Sequence, residues 1–170
     1  MAPSTTSTTT TSTIPLLYSL FFLWIEPFAT LVGAFFAWVQ PTTYLTLTHA
    51  ASVPPEQLVQ GLPLATLVAL QQLGNLYLAF ALIEASVLRT TSDLKVWRTL
   101  LICLLIADFG HLLSCYPLGL DSYYDVQQWN AIAYGNYLFV YFGASFRISF
   151  LLNLGFPPAG QKKKAKQRRE

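Results

Sequence analysis

The chain has 170 residues, of which 54% are hydrophobic, 15% aromatic and only 11% charged, with a formal net charge of +2. A water-soluble domain carries about a quarter charged residues, so this composition excludes one; it also excludes an extended disordered chain and a disulfide scaffold, since there are only two cysteines. An all-α membrane protein is what remains.

In chain order, residues 1–13 form a Ser/Thr tract without a charged side chain, too poor in apolar surface to fold, and a disordered tail is expected there. The tract lacks the Lys and Arg of a secretory signal, and the apolar run behind it is too long for a cleaved one, so the first span should be retained. Crossing a hydrocarbon core about 30 Å thick takes roughly 20 apolar residues in a helix. Four stretches have that length: Ile14–Val39, Pro63–Leu88, Trp97–Cys115 and Trp129–Leu152. The polar connections hold turn chemistry at Gln40-Pro41, Val53-Pro54-Pro55, Thr91-Ser92-Asp93 and Tyr116-Pro117-Leu118-Gly119. A four-transmembrane-helix bundle in one domain is predicted, followed by a tail over residues 153–170.

Orientation follows from Lys and Arg, which keep short loops cytosolic. Arg89, Lys95 and Arg98 mark the second connection and the start of span three, and Lys162, Lys163, Lys164, Lys166, Arg168 and Arg169 mark the tail. The other connections carry only Glu56, and Asp121 with Asp125. Both termini are therefore predicted cytosolic. The basic tail reads as a solvated segment drawn to anionic lipid; an endoplasmic-reticulum retrieval signal is the sharper alternative. Nucleic-acid binding would need an exposed domain behind the charge, and none is predicted. Cys103 and Cys115, about 18 Å apart along one helix, cannot pair with each other.

Five ionisable residues fall inside the predicted spans: Glu26, Glu84, Asp108, His111 and Arg147. A charge at mid-bilayer costs about 2.5–3.5 kcal/mol on insertion scales, which makes each a candidate for function. Counting from the cytosolic ends gives two layers. Glu84 and Arg147 lie near the cytosolic edge, as an ion pair, as two side chains reaching for headgroups, or as an anion-holding Arg147. Glu26 and Asp108 lie near the midplane with His111 just lumenal, and Asp108 and His111, three residues apart, share a face. Pro27 removes a backbone donor beside Glu26 and should kink the first span. Asn75 and Asn136 join this layer as orienting groups, while Trp129 and Asn130 stand at its lumenal mouth. In such a pocket Glu26 would be the acid, and Asp108 with His111 its acid–base partner. Polar side chains acting only as interhelical glue account for the same pattern without a reaction. No cofactor motif occurs, and Asp121, Asp125 and His111 lack the spacing of a metal site.

The segments PLLYSLFFLWIEP, NLYLAFALIEASVLRTTSDLKVWRTLL, ADFGHLLSCYPLG and WNAIAYGNYLFVYFGASFRISFL resemble the small four-span membrane proteins, without assigned function, of filamentous fungi. The resemblance covers residues 14–152, and its most specific strings are Ala107-Asp108-Phe109-Gly110-His111 and Trp129-Asn130-Ala131. It implies a fungal source. More remotely, the chain is similar to the emopamil-binding (EXPERA) sterol isomerases and the membrane-bound meroterpenoid cyclases, which use polar side chains in a membrane cavity to protonate a lipophilic substrate. To that analogy Glu26, Asp108 and His111 contribute depth and residue type, and no motif residue aligns.

The expected protein is thus an endomembrane protein, of the endoplasmic reticulum, that isomerises or cyclises a terpenoid, sterol or polyketide intermediate without metal or cofactor. Glu84, Arg147, Asn75, Asn136, Trp129 and Asn130 would line the substrate. The rival is a non-catalytic scaffold or subunit, packing through Gly33, Gly74, Gly143 and Ala144 against membrane enzymes, transporters or its own copies.

Overall fold

The computed structural model describes residues 14–157. The tract expected to be disordered at residues 1–13 and the basic part of the tail from residue 158 lie outside the described residues. Within them the chain is helical, with no strand. Four long helices carry the architecture: α1 (Leu16–Val39), α2 (Leu64–Thr90), α3 (Leu94–Ser114) and α4 (residues 131–151). Two short helices, Pro41–Thr48 and Pro55–Gln60, join α1 to α2, and single 3-10 turns cover the chain between α3 and α4.

The helix starts follow local chemistry. Pro41 opens its helix at a position where a missing N–H costs nothing. The Asp93 side chain accepts from the Lys95 amide at 2.8 Å and starts α3. Asn130 accepts from the amides of Ile132 and Ala133, 3.0 Å each, and starts α4. Two of the long helices contain a π-helical turn, Phe21–Ile25 in α1 and Tyr134–Phe139 in α4. Pro27, which follows the first of these, offers no N–H to the Leu23 carbonyl four residues back. Arg89 of α2 donates to that carbonyl instead, with its guanidinium 4.5 Å from the Trp24 ring.

Three segments are long and apolar enough to cross a membrane: α1, α2, and α3 with its following turn to Leu118. The chain is an integral membrane protein on that ground. Helix α4 matches them in length but carries Asn136, Arg147 and three tyrosines, which lower its hydropathy.

The helices form two pairs, α1 along α2 and α3 along α4. In the first pair the backbones come close at Gly74, where an added Cβ would stand 3.1 Å from the Trp38 Cβ and 3.2 Å from the Ala34 carbonyl oxygen. At one end the pairs are joined by a buried cluster of Tyr18, Phe21, Phe22, Leu88, Trp97, Leu101 and Phe150. The Tyr18 hydroxyl donates to the Leu154 carbonyl at 2.8 Å, so the start of α1 and the end of α4 lie side by side. At the other end the helix Pro41–Thr48 packs on the start of α4, and the Asn130 amide donates to the Leu47 carbonyl at 2.7 Å. Between these two seals the pairs part.

Alanine is a better helix former than glycine by about 1 kcal/mol, so a loss at Gly74 reports packing. Gly74→Ala should lower the melting temperature of the detergent-solubilised protein, at an overpacking cost of about 1–3 kcal/mol. Gly110→Ala, whose Cβ meets nothing within 4 Å, should leave it equal or higher.

Candidate functional site

The space between the helix pairs is a cavity of about 610 Å³, bordered by side chains from all four long helices and by Tyr44. Most of its wall is apolar. Its carboxyl groups and its one guanidinium gather at one end, where Glu26 (α1), Glu84 (α2), Asp108 (α3) and Arg147 (α4) meet. Three of these are buried outright: Glu26 is 7%, Glu84 3% and Arg147 2% exposed.

Arg147 organises the cluster. Its Nη2 donates to Glu26 Oε1, and its Nη1 donates to Asp108 Oδ2 at 2.8 Å. One planar guanidinium thus ties α1 to α3 from a position on α4, a geometry that suits arginine and not lysine. Gly143, one turn earlier on α4, leaves the room: an added Cβ there would sit 2.5 Å from Arg147 Nη1. Glu84 borders the same end of the cavity and makes no salt bridge among the described residues. Glu26 Oε2 and Glu84 Oε1 are buried without a partner among the described residues. Three carboxyl groups and one guanidinium thus meet at this end of the cavity.

His111 borders the same cavity one turn along α3 from Asp108 and lies against Asn136 of α4. Its Nε2 is buried and unpartnered. Further along the wall the hydroxyls of Tyr44 and Tyr77 are 3.4 Å apart. Tyr44, on the short helix after α1, has its phenol pushed up from its ordinary pKa by burial, which keeps it a neutral hydrogen-bonding group.

The cavity is open on one flank. Phe28 and Val32 of α1 and Tyr134, Leu138 and Phe142 of α4 border it and are also exposed on the outer surface, Phe28 at 69% and Phe142 at 52%.

A second, smaller pocket of about 350 Å³ lies at the end formed by the connections. Its wall includes His49, Asp121, Asp125, Trp129, Asn130 and Asn136. Trp129 donates from Nε1 to the Ser122 carbonyl at 2.8 Å and stacks on Tyr137.

The cluster departs from the two layers expected from residue counting. Arg147 pairs with Glu26 and Asp108, and Glu84 stands beside Glu26, so a single layer holds all four. The reason is the tilt of helical side chains toward the N-terminus of their own helix. In antiparallel neighbours that tilt points Glu26 and Asp108 one way and Glu84 and Arg147 the other, which closes the apparent gap in depth. Asp108 is held by Arg147 and not by His111. Of the orienting groups, Asn136 borders the cavity, whereas Asn75 is exposed on α2 and does not. Trp129 and Asn130 border the second pocket and not the cavity of the carboxyl cluster. Asp121 and Asp125 border that pocket, apart from His111. Sequence reasoning missed the Tyr44–Tyr77 pair and the role of Gly143; the i, i+4 spacing of Gly143 and Arg147 was the available signal.

A family model described as "Domain of unknown function (DUF7704)" matches residues 11–157, and the chain belongs to that family. No curated protein and no solved structure matches it.

Removing one member of a buried charge network costs about 3–5 kcal/mol, because its partners remain buried and uncompensated. Arg147→Met should therefore lower the melting temperature sharply in detergent. Adding Glu26→Gln and Asp108→Asn to it should restore much of the loss, and a triple variant no more stable than the single one would contradict the network.

Proposed function

We propose that this DUF7704 chain binds a lipophilic small molecule taken up from the bilayer and isomerises or cyclises it by acid–base chemistry. The observation that carries the reading is Glu84: a buried carboxyl with no cation of its own, at the polar end of an apolar cavity whose flank opens toward lipid. The cavity volume lies within the range of small-molecule sites, about 300–1,000 Å³.

Arg147 already engages Glu26 and Asp108, so the acid role expected of Glu26 passes to Glu84, which has no ion-pair partner among the described residues. In a double-bond shift, Glu84 gives a proton to one alkene carbon and a C–H bond forms there. A C–H bond breaks at a neighbouring carbon, and its proton goes to Asp108. No electrons are gained or lost. The two carboxylates facing the intermediate cation stabilise it in a water-poor wall, where fixed charges act most strongly. Tyr44, Tyr77 and Asn136 supply hydrogen bonds that orient an oxygenated substrate. Terpenoid, sterol and polyketide intermediates fit such a mixed wall.

The scaffold reading needs its small residues free for a partner. Gly33 lies against the Tyr77 ring, Gly74 against α1 and Gly143 against Arg147, so three of its contact residues are engaged within the chain.

The same reading places four spans in an endoplasmic-reticulum membrane of a fungal cell, with both termini cytosolic. The start of α1 and the end of α4 lie beside the Arg89, Lys95 and Arg98 end of the molecule, which supports that arrangement.

Deletion of the gene, followed by return of the wild-type or variant chain and profiling of the lipid extract, tests the chemistry. Glu84→Gln should lower product about 100-fold or more, the usual contribution of a general acid, at unchanged protein level. Glu84→Asp should retain part of it. Extracts identical in deletion and wild-type strains would end the enzyme reading. For topology, tags at either terminus should be digested by protease added to intact microsomes, and a tag inserted between Asp121 and Asp125 should be protected.

A further inference from the structure

The two pockets meet at one wall. Ile132 and Asn136, one turn apart on α4, border both the lipophile cavity and the polar pocket beneath the connections. Ile132 is buried, at 8% exposure. On the inner side of this wall stands His111, against Asn136 and with Nε2 unpartnered, one turn from Asp108. On the outer side are His49, Asp121, Ser122 and Asp125, which come from connections outside the long apolar segments. A polar line thus runs from the pocket beneath the connections through Asn136 and His111 to Asp108 and Arg147. Most of the cavity wall around it is apolar.

We propose that the polar pocket is a water-filled vestibule through which the buried carboxyl cluster exchanges protons, with Asn136 and His111 as the relay and Ile132 as the apolar plug that keeps bulk water out. It deepens the function proposed above, on which it rests for the use made of the proton. Inward, a hydronium ion in the vestibule gives its proton to one nitrogen of His111, and the other nitrogen releases a proton to Asp108. Outward, the same steps run in reverse. Water returns to the vestibule, the imidazole returns to neutral, and no electron changes hands. A cluster that gives and takes protons far from the headgroups needs such a path, because a charged carrier cannot cross the lipid-facing flank of the cavity. Asn136 acts by positioning water and His111 and does not touch the reacting atoms.

Thiol accessibility tests this without reference to any substrate. In full-length protein reconstituted in vesicles, with Cys103→Ala and Cys115→Ala as background, the reporter is His111→Cys and the vestibule control is Gln128→Cys. The probe is a membrane-impermeant, permanently cationic methanethiosulfonate added to one side at a time; a membrane-permeant maleimide checks that the reporter thiol is intact. The reporter should react from the same side as Gln128→Cys, several-fold faster with Ile132→Ala and several-fold slower with Ile132→Phe. Reaction with the maleimide alone, reaction from the opposite side, or a rate indifferent to residue 132 would each overturn the vestibule. Should the lipid extracts show no product while accessibility follows residue 132, the enzymatic reading fails and the proton route stands; product with an unreactive reporter gives the converse.

Discussion

A guanidinium sealed within a helix bundle sets the terms for the rest of this molecule. Arg147 is almost entirely removed from solvent, and a buried cation without partners would be too costly to keep. Its two carboxylate partners come from α1 and α3, which belong to different helix pairs. The ion pairs therefore do more than balance charge: they cross the gap that the apolar seals leave open at mid-height. Without them the two pairs would be joined mainly at their ends.

The cavity is a consequence of that division. Close packing is spent within each pair, as at Gly74 against α1, and at the aromatic cluster where α1, α3 and α4 meet. Between the pairs, the cavity wall includes the small residues Gly33 and Gly135. The helix Pro41–Thr48 then caps one end instead of filling the space. Such a void in a soluble protein would be a liability. Within lipid, an apolar cavity with an open flank is a compartment that membrane-soluble molecules can reach directly.

The cluster holds more carboxyls than cations, and the proposed chemistry rests on that surplus. Glu26 and Asp108 alone would already more than neutralise Arg147. Glu84 adds a further carboxyl that contributes nothing to charge balance, and it sits on the cavity wall beside an orphaned oxygen of Glu26. Interhelical glue would be served as well by an amide. In the proposed chemistry that carboxyl supplies the proton, and the His111 nitrogen, orphaned among the described residues, stands on the side of the polar pocket.

The composition and the four apolar stretches were enough to read an all-helical membrane chain, because hydropathy is additive along a segment and needs no partner. Helix limits fell within a few residues of Pro41, Asp93 and Asn130, each of which acts locally. The identity of the polar residues inside the spans was legible too, since every one of them violates the hydropathy of its surroundings. Their pairing was not. Depth counted by residue number put Arg147 beside Glu84, whereas the tilt of side chains on antiparallel helices brings it to Glu26 and Asp108. The exposure of Asn75 and the burial of Glu84, on the same helix, depend on which face of α2 meets α1, and the weak periodicity of an almost wholly apolar helix does not reveal that face. Only the tertiary structure decides it, because in lipid the inside and the outside of a bundle are nearly equal in polarity and packing alone tells them apart.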